Sequence, residues 1–279
     1  MIGTGLLVFL LIILNVLISW RGFRNSDFFA RYEFNVDGIL LYRQYDRLIS
    51  SGFLHVGWLH LIFNMLALYF FSGSLIAVLN WWGFLIIYFA SLIGGGLLSL
   101  YIHRYSGDYS SVGASGAVSG IIFAVIALFP GIDVPLIFIP LPGWLFGLLY
   151  VLISIYGIRS RTGNIGHDSH LGGALVGLVV ALLMRPHALV ENYVTILIIS
   201  VPAIVFIYLI ITRPHLLLVD NFFYKTHHRN YNIDHKYNQQ QYNRQQEIDQ
   251  ILDKINKSGM HSLTKAEKEK LEEYSKRIR

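Results

Sequence analysis

The sequence predicts an all-α membrane protein with seven transmembrane helices, on three observations. Hydrophobic residues make up 54% of the 279 residues and charged residues only 14%, whereas a soluble domain carries about 25% charged residues. The mean hydropathy is positive, at +0.51. Between Arg47 and Arg104 the chain contains no Asp, Glu, Lys or Arg. A large share of this chain is therefore expected to face lipid rather than water.

The predicted spans are apolar segments of about the 20 residues that a transmembrane helix needs. They lie near residues 3–20, 56–78, 83–102, 113–129, 136–158, 168–184 and 194–212. The first lacks a basic start and a small-residue cleavage pattern, which predicts a retained span rather than a signal peptide. The fourth and sixth are short and rich in glycine. A short helix that begins below the membrane surface would leave a wet depression above its first turn.

The first connection, residues 21–55, is the long one, and it mixes five arginines and four acids with many aromatic residues. This composition predicts an amphipathic piece in the membrane interface, with a solvated loop as the alternative. The chain contains no cysteine, so disulfides and thiolate metal sites are excluded.

The chain after residue 212 changes character and predicts a separate tail. Residues 213–246 are polar and read as a linker. Over 247–279 we expect a small helical hairpin, since Ile248, Leu252 and Ile255 share one helical face. Gly259 can end the first helix, and Thr264 with Glu267 forms a capping box for the second. The apolar side of the second helix would continue through Leu271, Tyr274 and Ile278.

Ser115, in the run GASGAVSG of the fourth span, and His170, in HDSHLGG of the sixth, are the residues that indicate chemistry. A polar or titratable side chain at membrane depth is a functional-site hypothesis by default. Serine becomes a nucleophile when a base takes its proton, and imidazole titrates near neutrality. The two residues therefore predict a hydrolytic nucleophile and its general base.

Glycine stripes give a reason for the two residues to meet. Gly116 and Gly120 form a small-xxx-small pair on the fourth span, and Gly173 and Gly177 form one on the sixth. Such pairs let helix backbones approach closely. If the stripes face each other, His170 comes within hydrogen-bond reach of the serine.

The remaining parts of an acyl-transfer site can also be assigned from the sequence. Asp168 is two residues from His170 and on roughly the opposite helix face, which favours a dyad over a triad and a structural role for the acid. His60 and Asn64 are four apart and share one helix face, so both are candidate oxyanion donors together with the Ser115 backbone N–H. Gly113, before the serine, allows close approach of a substrate.

These residues form a pattern that closely resembles the rhomboid intramembrane serine proteases. The resemblance rests on HxxxN in the second span, GASG in the fourth and HLGG in the sixth, with RLISSGFLH ahead of the second. It covers roughly residues 1–185, and the last span resembles the family's "six plus one" members. It implies a six-helix core and hydrolysis of a transmembrane substrate near the end of the substrate's transmembrane segment. By the same resemblance Ser115 is the nucleophile and His170 the base, and the oxyanion hole contains His60, Asn64, Ser115 and Gly113.

Two departures from the family pattern stand out. Ser169 occupies a position before the histidine where the family often has Ala. The interior of the first loop also lacks a clear Trp-Arg pair, because Trp20–Arg21 lies at its very start. The second departure leaves the anchoring of that loop open.

The sequence therefore predicts an intramembrane serine endopeptidase that uses no metal, nucleotide or other cofactor. Its partners would be transmembrane protein substrates and membrane lipid, without nucleic acid, and the partner of the tail hairpin is unspecified. We expect a protease core at 1–190, a further transmembrane helix at 191–212, a linker at 213–246 and the hairpin at 247–279. The expected location is the cell (inner) membrane, with the chain as a multi-pass protein.

Two other function classes and two orientations are compatible with parts of the pattern. Zinc could be bound by His60, His167 and His170, although HExxH is absent. A transporter or a non-catalytic client-binding protein could also use helices broken by glycine, although internal repeats are not evident. For orientation, the arginines on the side of the active-site mouth predict a cytoplasmic mouth, whereas the family resemblance predicts an outward one, which we favour.

Overall fold

The computed structural model describes residues 2–136, 139–160, 166–213, 248, 251–256, 259–264, 266–268 and 270–271. The chain divides into two compact units, Met1–Asn221 and Phe222–Arg279. The helices of the first unit are α1 Ile2–Arg24, α2 Ser26–Tyr32, α3 Val36–Leu40, α4 Arg47–Ser50, α5 Trp58–His103, α6 Ser115–Leu128, α7 Gly143–Ser160, α8 His167–Met184, α9 His187–Glu191 and α10 Tyr193–Thr212. Two antiparallel strand pairs accompany them: β1 Phe34–Asn35 with β2 Ser110–Ser111, and β3 Asp133–Leu136 with β4 Ile139–Pro142.

Within the described residues, five helices are long and apolar enough to cross a membrane: Gly5–Arg24, Trp58–His103, Gly143–Ser160, His167–Met184 and Tyr193–Thr212. The prediction of an all-α membrane protein is confirmed. One of the five, α5, has 46 residues, far more than the about 20 that one crossing needs. Its length is explained by a break in its middle.

Asn80 breaks α5 at the place where the sequence predicts the end of the second span and the start of the third. Its φ is +57° and its ψ −178°, which are not helical values. The Asn80 side-chain Oδ1 accepts hydrogen bonds from the backbone N–H groups of Trp82 and Gly83, at 3.0 and 3.3 Å. These contacts are those of an N-cap, so Asn80 starts a second helix that continues to His103. The predicted total of seven spans stays a prediction.

The apolar helix α6, which is shorter than the five helices long enough to cross a membrane, lies at the centre of this unit. Its 14 residues rise about 21 Å, less than the about 30 Å of a bilayer core. All residues from Gly116 to Ala127 are buried, and α6 packs against both α5 and α8. The helix of the fourth span thus begins at Ser115, where it is surrounded by protein. The polar residues that precede it in the sequence predict such a start.

The glycine stripes of α6 and α8 face each other. A Cβ atom added to Gly173 would lie 2.1 Å from the carbonyl oxygen of Gly116, and one on Gly177 would lie 2.2 Å from that of Gly120. No side chain fits at these separations, so the two backbones are in direct contact. The close approach that the spacing predicts is present.

The predicted start of the fifth span is wrong. Asp133–Leu136 and Ile139–Pro142 form the paired strands β3 and β4, and α7 begins only at Gly143. Pro135, Pro140 and Pro142 explain the difference, because proline lacks a backbone N–H and biases the preceding residue towards extended conformations. The apolar composition of this stretch favours a membrane span, but its prolines prevent a continuous helix.

The first connection is folded, with Arg47 at its centre. The Arg47 guanidinium donates hydrogen bonds to the carbonyl oxygens of Ala30 and Glu33, at 2.8 and 2.7 Å. Its Nε donates to the Gln44 side-chain oxygen at 2.6 Å, and the residue is only 8% exposed. Arg47 therefore anchors this loop, and the solvated-loop alternative does not describe it. The location of the loop in the membrane interface stays a prediction.

The second unit contains its own small apolar cluster. Ile248, Ile251 and Leu263 are buried, and Ile255 and Leu271 pack against them. The assignment of Leu252 to the apolar face is wrong: it is 45% exposed, because Ile251 takes the position between Ile248 and Ile255. Tyr274, Ile278 and all of the predicted linker except Arg213 lie outside the described residues.

The predicted capping box is confirmed in this unit. The Thr264 backbone N–H donates to Glu267 Oε2 at 2.7 Å, and the Glu267 N–H donates to Thr264 Oγ1 at 3.3 Å. Lys254 adds an ion pair to the Glu267 carboxylate at 2.9 Å. The backbone N–H of Thr264 and, after it, the Lys254 ammonium lower the pKa of Glu267 to about 2.

Candidate active site

Ser115 and His170 are in hydrogen-bond contact. The Ser115 Oγ lies 2.7 Å from the His170 Nε2, with the serine at the first position of α6 and the histidine in the first turn of α8. With its proton on Nδ1, the imidazole accepts from the serine hydroxyl through Nε2. The arrangement is that of a serine beside the base that could take its proton.

Gly113 shapes the turn that precedes the serine. Its φ is +135°, a value that L side chains rarely adopt. A Cβ at this position would also lie 2.9 Å from the His60 Nε2. The backbone before Ser115 therefore rests directly against the His60 ring, and only glycine permits this.

His60 and Asn64 lie on the first turns of α5, close to that turn. The His60 Nδ1 is buried and has no hydrogen-bond partner among the described residues. The Asn64 side-chain amide donates to the His60 carbonyl oxygen at 2.9 Å, which leaves its second N–H for another acceptor. The assignment of these two residues to an oxyanion hole stays a prediction.

His55 supports the same turn from behind, and the sequence had given it no role. Its Nε2 accepts the backbone N–H of Ala114 at 3.4 Å, while its Nδ1 lies 2.9 Å from the Ser19 Oγ. The Ser19 hydroxyl donates to the Phe53 carbonyl oxygen, so the His55 Nδ1 must carry the proton that joins the two side chains. Burial, and to a lesser degree the charge of His60, lowers the pKa of His55 to about 3. The signs in the sequence were its place five residues before His60 and its position at the end of the run RLISSGFLH.

Asp168 faces α5 and not His170. Its carboxylate Oδ2 lies 3.1 Å from the His103 Nε2 and accepts a short hydrogen bond from the Ser99 hydroxyl. The His103 ring in turn stacks on Tyr109, with 3.6 Å between centroids. Asp168 is only 4% exposed, and its contacts with Ser99 and His103 satisfy the buried carboxylate. This geometry agrees with a dyad and with the predicted structural role of Asp168.

His167 also has a packing role. A Cβ at Gly157 of α7 would lie 2.1 Å from the His167 ring, so the ring fills the space that this glycine leaves. Across the part of the chain that the structure describes, no group of three His, Cys, Asp or Glu side chains could hold a metal ion. The three histidines of the zinc alternative do not converge.

Comparisons with known proteins match two parts of the chain. A family model described as the Rhomboid domain matches residues 42–187. A second, described as a family of unknown function (DUF6576), matches residues 231–277. The two matches fall on either side of α10.

Curated relatives match the first part. RHOMBOID-like protein 12, mitochondrial, of Arabidopsis thaliana is 31% identical over 186 residues, which are 61% of this chain and 55% of that protein. Rhomboid protease GluP of Bacillus subtilis is 27% identical over 180 residues, or 64% of this chain and 33% of that protein. Rhomboid-type serine protease 2 of Emericella nidulans is 31% identical over 160 residues, or 53% and 29%. The matched region is therefore about half or less of each relative's length.

Proposed function

This chain belongs to the rhomboid family, and from that premise we propose that it is an intramembrane serine endopeptidase with Ser115 as nucleophile and His170 as general base. The family membership supports a membrane protease at the level of the family. The observation that carries the finer assignment is the 2.7 Å separation of the Ser115 Oγ and the His170 Nε2.

The reaction begins when the Ser115 oxygen attacks the carbonyl carbon of the scissile peptide bond. His170 takes the hydroxyl proton on Nε2 and then gives it to the leaving amine, which departs as the C–N bond breaks. The acyl-enzyme on Ser115 is hydrolysed by a water molecule whose proton passes through the same nitrogen. The carboxylic acid product leaves, and the serine hydroxyl is restored.

The tetrahedral intermediates need donors for their oxyanion. The Ser115 N–H is available because the first N–H groups of a helix have no partner within the helix, and it lies at the positive end of the helix dipole. The His60 ring against Gly113 and the second N–H of Asn64 are the proposed side-chain donors. Loss of one such donor typically costs about 100- to 1000-fold in rate.

The proposed substrates are membrane proteins cut in or next to a transmembrane segment. A peptide carbonyl within a helix is already hydrogen-bonded, so the substrate must unwind locally before Ser115 can attack it. Gly or Pro near the scissile bond should therefore favour cleavage.

Labelling of the detergent-purified protein with a fluorescent fluorophosphonate tests this proposal. We expect the wild type to be labelled and Ser115→Ala and His170→Ala to be unlabelled. Ser72→Ala is the matched control, because Ser72 is also a buried serine, yet its hydroxyl donates to the Tyr69 carbonyl oxygen one turn earlier in α5 and not to a histidine among the described residues. Labelling that persists in Ser115→Ala, or a folded wild type that takes no label, would refute the assignment and favour a non-catalytic client-binding role.

The protein is a multi-pass membrane protein, and its membrane and orientation belong to the proposal. We propose that the chain lies in the cell (inner) membrane and that the mouth of the active site faces outward. The proposed domains are the protease core at 1–190, the further transmembrane helix at 191–212, the linker at 213–246 and the hairpin at 247–279. Several relatives are named mitochondrial, so cell fractionation comes first. An epitope tag at the N-terminus should then be protected from added protease in intact cells. Digestion of that tag would show that the proposed orientation is wrong and that the mouth faces the cytoplasm.

A further inference from the structure

A chain of hydrogen bonds runs from α7 to the carbonyl group of Ser115. The Ser119 hydroxyl donates to the Ser115 carbonyl oxygen at 2.6 Å, and it is also in short hydrogen-bond contact with the Tyr150 hydroxyl. Because the Ser119 proton is committed to the carbonyl, the Tyr150 hydroxyl must be the donor in the second bond. The order is therefore Tyr150 to Ser119 to Ser115.

The Tyr150 ring fills the space beside the base. Its centroid lies 6.1 Å from that of His170, with 32° between the planes, and 5.6 Å from that of Phe123, with 64°. These separations are those of interacting ring pairs. One side chain thus touches the nucleophile's helix through its hydroxyl and the base through its ring.

Tyr150 belongs to the face of α7 that packs on α6. A Cβ at Gly143 or at Gly147 would lie 3.3 Å from Ile126 of α6, and Tyr150 follows these glycines at helical spacing on the same face. Movement of α7 away from α6 would withdraw the Tyr150 hydroxyl and ring together. The contacts of Tyr150 with Ser119 and His170 are therefore made only while α7 packs against α6.

We propose that Tyr150 is a positioning residue for the Ser115–His170 dyad, supplied by α7, so that the dyad is held in its reactive geometry only while α7 packs against α6. The inference rests on the proposed function, since it assumes that Ser115 and His170 react. The Tyr150 hydroxyl bonds Ser119 and not the Ser115 Oγ or the His170 Nε2, so Tyr150 acts through these residues and takes no part in the proton transfer. Its effect is expected on the rate of the chemical step and not on substrate affinity.

The test compares Tyr150→Phe, Ser119→Ala and the double variant in full-length protein, with Tyr156→Phe as control. Tyr156 is on the same helix but is 70% exposed. The readouts are the rate of fluorophosphonate labelling, kcat and KM on a transmembrane substrate, and the unfolding temperature. Each single variant should lower the labelling rate and kcat about tenfold with KM unchanged, and the double variant no further, because both break one chain. Tyr156→Phe should match the wild type.

Three results would overturn the inference. One is a Tyr150→Phe protein that labels at the wild-type rate. Another is a double variant whose loss is the product of the two single losses, since the residues would then act separately. The third is a loss that follows the unfolding temperature and disappears on cooling. Failure of the proposed function looks different, because the wild type would then take no label that depends on Ser115.

Discussion

The carbonyl oxygen of Gly116 lies where a Cβ of Gly173 would be, at 2.1 Å from the ideal position of that atom. The contact is one residue after Ser115 and three after His170. Any side chain at Gly173 would push α8 away from α6. The contact between two glycines thus sets the distance between the proposed nucleophile and its base.

Gly173→Ala should therefore remove activity and lower stability together. We expect a loss of about 1–3 kcal/mol in the free energy of unfolding, the usual cost of overpacking, and no fluorophosphonate labelling. Gly73→Ala is the control: Gly73 is also within an apolar helix, but a Cβ there would meet nothing within 4 Å. A Gly173→Ala protein that keeps wild-type labelling would show that the helices can separate without harm to the dyad.

Arg47 offers a test of the folded first loop. Arg47→Lys keeps the charge but loses the Nε donor to Gln44 and the rigid guanidinium from which Nη1 reaches two carbonyl groups. We therefore expect a loss of about 2 kcal/mol, within the range for hydrogen bonds to charged groups. Thermal unfolding in detergent measures it. Arg31→Lys is the comparison, because the Arg31–Asp46 pair is nearly half exposed and such pairs contribute about 0–1 kcal/mol. Equal losses in the two variants would mean that Arg47 is not the anchor.

The parts of the fold that the sequence predicted well are those set by local composition and spacing. The break between the second and third spans needs only Asn80 between two apolar runs, and the α6–α8 contact needs only glycines at a spacing of four. The β3–β4 hairpin was missed because hydropathy outweighed three prolines. Leu252 was misplaced because two neighbouring apolar residues competed for one face.

The candidate site divides in the same way. Ser115 and His170 could be paired from motif spacing, and the structure brings them together. Arg47 and His55 begin and end the quoted run RLISSGFLH, but the sequence assigned no role to either of them or to Tyr150. Each of the three acts on backbone or side chains far away in the chain. The partners of Arg47 are carbonyl groups, which leave no trace in a sequence. Tyr150 was one of many aromatic residues in an apolar helix.

Asp168 and His103 allow a test of how the start of α8 is held. Asp168→Asn removes the carboxylate that accepts from Ser99 and lies 3.1 Å from the His103 Nε2, while keeping the shape of the side chain. We expect a loss of about 1–3 kcal/mol in the free energy of unfolding, the usual cost of leaving a buried polar group without its hydrogen-bond partner. His103→Gln should cost less, and the double variant should show coupling between the two.

Asp108→Asn provides the control for that series, because Asp108 is exposed and lies in the same connection as Tyr109. It should unfold as the wild type does. If Asp168→Asn is equally harmless in thermal unfolding, the contacts of Ser99 and His103 do not hold α8. Labelling of the Asp168→Asn protein at low temperature would separate its stability from any effect on His170.

His55 predicts a specific dependence of stability on pH. Its pKa is about 3 in the folded protein and about 6.5 when unfolded. Below pH 6.5 the unfolded chain binds a proton that the folded one does not. Stability is therefore full above about pH 6.5 and falls as the pH drops towards 3. Protonation of Nε2 would also set two donors, the imidazolium and the Ala114 N–H, against each other.

His55→Gln removes this titration. The variant should be less stable than the wild type at pH 7, because the Ser19 and Ala114 contacts are weakened, but its free energy of unfolding should change less between pH 7 and pH 4. His187→Gln, at an exposed position, should keep the wild-type slope. Denaturant unfolding at a series of pH values measures these slopes. A His55→Gln slope equal to that of the wild type would place the acid sensitivity in other groups and leave Ala114 held by something other than a neutral imidazole.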